Sequence, residues 1–154
     1  MTESSGMLDG KVVVITGAAR GLGQAYAVAF TALGAAVVAA DLGDCAETVA
    51  LATADGGRCI GVEADVTDAP AVDAMAATAV EAFGGIDALV NNAALYGALS
   101  GGRFDSIEEN EWDAAMEVNV KGIWYCCRAV VPRLRERGAG SIVNVASLAA
   151  TYGM

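Results

Sequence analysis

The stretch Lys11-Val12-Val13-Val14-Ile15-Thr16-Gly17-Ala18-Ala19-Arg20-Gly21-Leu22-Gly23 decides how this chain is read. Its apolar first half predicts a strand over 11–16. Gly17, Gly21 and Gly23 then turn the chain, and Gln24-Ala25-Tyr26-Ala27-Val28-Ala29-Phe30 continues it as a helix over 22–33. Glycine takes the positive φ that such a tight turn requires. A helix opening directly after the turn points free N–H groups and the positive end of its dipole at one place, which suits an anion. Gly34 closes the helix as a C-cap.

The same alternation continues outward from this unit. Ala35-Ala36-Val37-Val38-Ala39-Ala40 predicts a second strand, ending at Asp41. A weak helix over 44–53 leads through Asp55-Gly56-Gly57 into a third strand over 58–63, just before Asp65. Val72, Met75, Ala76, Ala79, Val80 and Phe83 then fall at helical spacing, with Pro70 in the first turn, where a missing N–H costs nothing. Ile86-Asp87-Ala88-Leu89-Val90 predicts the fourth strand and runs into Asn91-Asn92-Ala93-Ala94. After a Gly- and Ser-bearing loop over 95–106, Ser106 and Glu109 form a capping pair for a long helix over 107–137. Asn119 and Pro132 are expected to disturb that helix. A fifth strand over 141–145 reaches Ser147.

Strands that alternate with helices pair in parallel through right-handed crossovers. The expectation is an α/β, doubly wound parallel sheet of Rossmann type, with strand order 3-2-1-4-5 and no strand beyond the fifth. Ligands on such sheets lie beyond the carboxyl ends of the strands, at the switch between strands 1 and 4. Gly17, Asp41, Asp65, Asn91 and Ser147 all fall at those ends.

Composition narrows the chemistry. A 154-residue chain can bury about 68–70% of its unfolded surface, enough for one domain. Over half of its residues, 55%, are apolar, which fits a sheet covered on both faces. The net charge of −10 argues against nucleic acid and anionic membrane surfaces. There is no histidine, which excludes a Ser-His-Asp triad and any His-ligated metal, and no metal site is expected. Cys45, Cys59, Cys126 and Cys127 form no C-x-x-C pair and read as buried free thiols of a reducing compartment. Residues 1–10 lack the pattern of a signal peptide. Residues 21–40 carry no charge, but they are Ala-rich and broken by Gly34, so no membrane span is expected. A cytoplasmic protein is the expectation.

Asp41 lies 24 residues after Gly17, at the end of the second strand. An acid there is placed to accept a hydrogen bond from an adenosine ribose 2′-OH, and its charge repels a 2′-phosphate. This favours NAD over NADP. Arg20 in the turn is the counterweight, since a guanidinium can meet a phosphate.

These motifs, in this order, resemble the short-chain dehydrogenase/reductase family over nearly the whole chain. Thr16 to Gly23 reads T-G-x-x-x-G-x-G, unlike the T-G-x-x-G-x-x-G of the epimerase-like branch. Asp65-Val66 is similar to the family's Asp-hydrophobe pair at the adenine. Asn91-Asn92-Ala93-Ala94 resembles N-N-A-G, with Ala94 in place of the usual glycine. Asn119, in Val118-Asn119-Val120-Lys121-Gly122, matches the active-site Asn, and Ser147 the catalytic Ser. The resemblance implies NAD held by Gly17, Arg20, Gly21, Leu22, Gly23, Asp41, Asp65, Val66, Asn91, Asn92 and Ala93. It implies hydride transfer between nicotinamide and an alcohol or carbonyl substrate. Ser147 would hold the substrate oxygen, and Asn119 would support a catalytic Lys through its backbone carbonyl and a water. A Tyr phenol would move the proton, helped by that Lys.

The family's Tyr and Lys form Y-x-x-x-K, with the Tyr at position 160 when counted from Ser147, beyond Met154. Tyr152 has no Lys four residues on and is read as a packing residue. The expectation is therefore an incomplete NAD-binding domain over 1–154, short by about 60–100 residues at roughly 30 per βα unit. Its last strand would be an open apolar edge. The long helix carries an apolar row at Met116, Val120, Ile123, Cys127, Val130 and Leu134, widened by Trp112, Ala115 and Cys126. In the family that helix helps form a dimer, often within a tetramer, so a homo-oligomer is expected. Two readings follow: the N-terminal part of an NAD-dependent oxidoreductase, or a non-catalytic dinucleotide-binding or interaction module. For residues 1–154 alone, weak NAD binding, poor solubility and no turnover are expected.

Overall fold

The computed structural model describes residues 6–97, 99–100 and 102–148. Five parallel strands form one sheet in the order β3-β2-β1-β4-β5. They are β1 (Val12–Thr16), β2 (Ala36–Asp41), β3 (Arg58–Glu63), β4 (Ala88–Asn91) and β5 (Ser141–Asn144). The helices are α1 (Gly21–Ala32), α2 (Ala46–Thr53), α3 (Ala69–Phe83), α4 (Glu109–Met116) and α5 (Ile123–Glu136).

The sequence of β1 explains its central place. All five of its residues are buried, so both faces of the strand are covered. Successive side chains point to opposite sides. Val14, Val38 and Leu89 pack with Val72, Met75 and Ala79 of α3 and with Cys126, Val130 and Leu134 of α5. Val13, Ile15, Val37 and Val90 join the opposite cluster with Ala27 of α1 and Ala52 of α2. The result is helices on both faces of a parallel sheet. Cys45, Cys59 and Cys126 are buried as free thiols. Loss of hydration by burial pushes Cys45 and Cys59 up to about 11 and Cys126 up to about 12. Cys127 is half-buried.

The helix ends follow local chemistry. Leu33 and Gly34 (φ 96°) terminate α1, and Gly84 (φ 81°) terminates α3. Pro70 lies in the first turn of α3, as its missing donor requires. The capping pair expected at Ser106 and Glu109 is not formed. Residues Phe104–Ser106 make a short 3-10 turn, the Ser106 hydroxyl donates to the Arg103 carbonyl at 3.0 Å, and Glu108 stands at the N-cap of α4. Ile107 and Glu108 are both extended, so α4 begins too late in the chain for Ser106 to reach its first N–H groups.

The long helix is also not continuous. A π turn over Glu117–Gly122, containing Asn119, separates α4 from α5. One residue more per turn rotates the helix faces, so the expected apolar row is corrected. Gly122, Cys126, Val130 and Leu134 face the core, whereas Trp112, Met116, Val120 and Trp124 are exposed. Pro132 sits inside α5 without ending it. The outer strand β5 is exposed along all four residues. Tyr152 lies outside the described residues. Among them, no helix is long and apolar enough to cross a membrane.

Candidate functional site

The strand order reverses at β1 and β4, and a cleft of about 450 Å³ opens beyond their carboxyl ends. The turn after β1 forms its floor. Gly17 (φ 66°) and Gly21 (φ 61°) both occupy the left-handed region. A Cβ on Gly17 would stand 2.7 Å from the Ala93 Cα, so the turn lies directly against the exit of β4. At Gly21 nothing in the protein lies within 4 Å of such a Cβ, which leaves the helix entrance open to the cleft. Gly23 is buried beneath, where a Cβ would strike the Gly17 carbonyl. The N-cap of α1, Arg20, makes no side-chain cap. The first N–H groups of α1 therefore have no partner within the helix.

Thr16 couples the turn to β4. Its hydroxyl oxygen accepts from the Asn92 and Ala93 N–H groups, each at 3.1 Å. The Asn92 side-chain amide donates to the carbonyls of Thr16 (3.1 Å) and Gly17 (3.0 Å). Asn92 thus holds the turn, and Asn91 does a different job. Asn91 is buried and donates to the Asn144 side chain at 2.9 Å, joining the ends of β4 and β5.

Asp41 borders the cleft at the end of β2. Its two carboxylate oxygens accept from Ala19 N–H and Gly43 N–H, both at 2.9 Å. Each oxygen has a second lone pair, so the carboxylate can still take hydroxyl donors from a ligand. Asp65 makes a local turn, accepting from the Thr67 amide (2.8 Å) and hydroxyl (2.7 Å). Leu42, Ala64, Val66 and Val118 supply apolar wall to the same cleft.

Of the residues singled out in the sequence, Gly17, Arg20, Gly21, Asp41, Asp65, Val66, Asn92 and Ala93 line this cleft. Leu22 is exposed on the first turn of α1. Leu22, Gly23, Asn91, Asn119 and Ser147 are not in the lining. Asn119 is half-buried in the π turn, and its amide brackets one backbone residue: Leu95 N–H donates to its Oδ1 at 2.7 Å, and its Nδ2 donates to the Leu95 carbonyl at 3.1 Å. Ser147 is exposed three residues past β5. Sequence reasoning missed Leu42, Ala64, Leu95 and Val118, whose only signal was adjacency to a motif residue.

The arrangement can seat an anion at the mouth of α1, hydroxyls at Asp41 and a flat apolar group between Leu42 and Val118. Residues 11–154 match the family model described as short chain dehydrogenase. An uncharacterized oxidoreductase of Mycobacterium tuberculosis is 47% identical over 146 residues, covering 94% of this chain and 59% of that protein. D-threitol dehydrogenase of Mycolicibacterium smegmatis is 40% identical over 149 residues, 96% of this chain and 56% of the relative. Among solved structures, a short-chain dehydrogenase/reductase from Burkholderia xenovorans superposes with a TM-score of 0.88 at 36% identity, over 95% of this chain and 59% of that one. The chain thus spans less than two thirds of the length of these relatives.

Proposed function

Since this chain belongs to the short-chain dehydrogenase family, we propose that it is the dinucleotide-binding part of an oxidoreductase that uses NAD and acts on a small alcohol or carbonyl compound. The observation that carries the cofactor choice is Asp41, fixed at the cleft by two N–H donors with lone pairs to spare. A ribose diol can donate to it, and a 2′-phosphate would meet like charge. The open turn at Gly21 and the N–H groups of α1 would receive the pyrophosphate. Leu42, Val66, Val118 and Asp65, which line the cleft, would hold the adenine end.

When bound, the nicotinamide accepts or gives the hydride. Ser147 holds the substrate oxygen by a hydrogen bond and acts as neither nucleophile nor base. Asn119 locks Leu95, which keeps the exit of β4 against the π turn. The 154 residues contain no Y-x-x-x-K, so no residue here is assigned the proton transfer. The relative named D-threitol dehydrogenase supports including polyols among the substrates tested.

The test uses the protein at its full encoded length, with NAD and a panel of secondary alcohols and polyols, followed by NADH absorbance. NAD-linked oxidation of at least one panel member is expected. Ser147→Ala should then lower kcat/KM roughly 100-fold, the scale for removing one oriented donor. Binding of NAD without turnover on any panel member would favour the non-catalytic module instead.

A further inference from the structure

A polar pair behind the glycine turn is used by none of the roles above. Thr48 of α2 is fully buried, yet it carries a hydroxyl into the seam between α1 and α2. That hydroxyl donates to the Ala18 carbonyl at 2.8 Å and also lies 3.3 Å from the Ala19 carbonyl, the longer of the two contacts. It accepts from the Gln24 side-chain amide at 3.1 Å, and the same Gln24 nitrogen lies 3.4 Å from the Ala19 carbonyl. Gln24 therefore takes up a Thr48 lone pair, and the single Thr48 proton goes to the nearer of its two carbonyls, that of Ala18.

The Ala18 carbonyl and the Ala19 N–H belong to one peptide unit. In a trans peptide these two groups point in opposite directions from one plane. Thr48 holds the carbonyl end from behind. The N–H end, on the other side, donates to Asp41 at 2.9 Å. Thr48 and Asp41 thus grip the same rigid plate from its two ends. Were the plate to turn over, its carbonyl oxygen would face the Asp41 carboxylate and repel it.

Resting on the NAD reading above, we propose that Thr48 is a positioning residue for Asp41. It acts through the Ala18–Ala19 peptide, with Gln24 orienting its hydroxyl. By fixing the donor that aims the carboxylate, it sets the preference for a free ribose 2′-OH over a 2′-phosphate. Thr48 touches no part of the cleft itself, because the seam is sealed beneath the turn.

The experiment measures NAD and NADP dissociation constants by calorimetry on the full encoded protein and on Thr48→Val and Thr48→Ser. Valine keeps the shape and removes the hydroxyl, leaving the Ala18 carbonyl without its partner. NAD affinity should fall about tenfold in Thr48→Val, with NADP affinity changed less than about threefold, so that selectivity drops. Serine restores the donor and should return the selectivity to the wild-type value. An equal loss for both ligands, or no rescue by serine, would show a purely structural role and overturn the proposal. If Thr48→Val does not fold, Gln24→Met carries the comparison: selectivity falls if the proposal holds, and an unchanged ratio overturns it. Wild-type protein that binds neither ligand would overturn the NAD reading itself. Wild-type selectivity that survives Thr48→Val would overturn only the role of Thr48.

Discussion

Gly17 and Gly21 share a backbone conformation and differ in what surrounds them, which separates two reasons for a glycine. Both have φ near 60°, where a side chain costs about 1–2 kcal/mol. At Gly17 a Cβ also meets the Ala93 backbone, whereas at Gly21 it meets nothing. Gly17→Ala should therefore lower the urea midpoint clearly more than Gly21→Ala. Gly21→Ala should show the larger loss of NAD affinity relative to its stability cost, because its methyl stands where a ligand approaches. Equal midpoints for the two variants would contradict this assignment. The glycines and Asp41 were legible in the sequence because their spacing from a strand end encodes a backbone requirement. Thr48 and Gln24 were not, since their hydrogen bonds join α1, α2 and the turn across the fold, and a lone Thr or Gln at helical spacing has no pattern of its own.

At the scale of elements, the β-strands and α-helices were anticipated in type, with α4 and α5 read as one helix and the 3-10 turn Phe104–Ser106 read as loop. The long helix was expected to be disturbed at Asn119, and the disturbance is a π turn that divides it into α4 and α5. The buried row is therefore Cys126, Val130 and Leu134, and Met116 and Val120 are turned outward. Periodicity cannot report a phase change that arises from a single added residue per turn. The cap at Ser106 fails for a different reason: the chain stays extended through Ile107 and Glu108, so the helix opens only at Glu109 with Glu108 as its N-cap. Asn119 also ties the π turn to the loop after β4 through two hydrogen bonds to Leu95. Asn119→Leu should destabilise the fold by roughly 1–2 kcal/mol. It should also speed amide exchange at Leu95 by about tenfold or more. Unchanged exchange at Leu95 would mean that the tether does not hold that loop in solution.

At the scale of the whole molecule, the sheet order places the turn, Asp41, Asp65 and Asn92-Ala93-Ala94 around one cleft, as the topology alone required. No single motif specifies that convergence; it follows from parallel strands whose carboxyl ends lie on one edge. The outer strand β5 and the face bearing Trp112, Met116, Val120 and Trp124 remain exposed. The measurement that bears most directly on the dinucleotide assignment is calorimetric titration of NAD into the full encoded protein and into its Asp41→Ala variant. The prediction is saturable one-to-one binding by the wild type and a loss of tenfold or more in Asp41→Ala, about 1.4 kcal/mol or greater. No binding by the wild type, or the same affinity in both proteins, would contradict it.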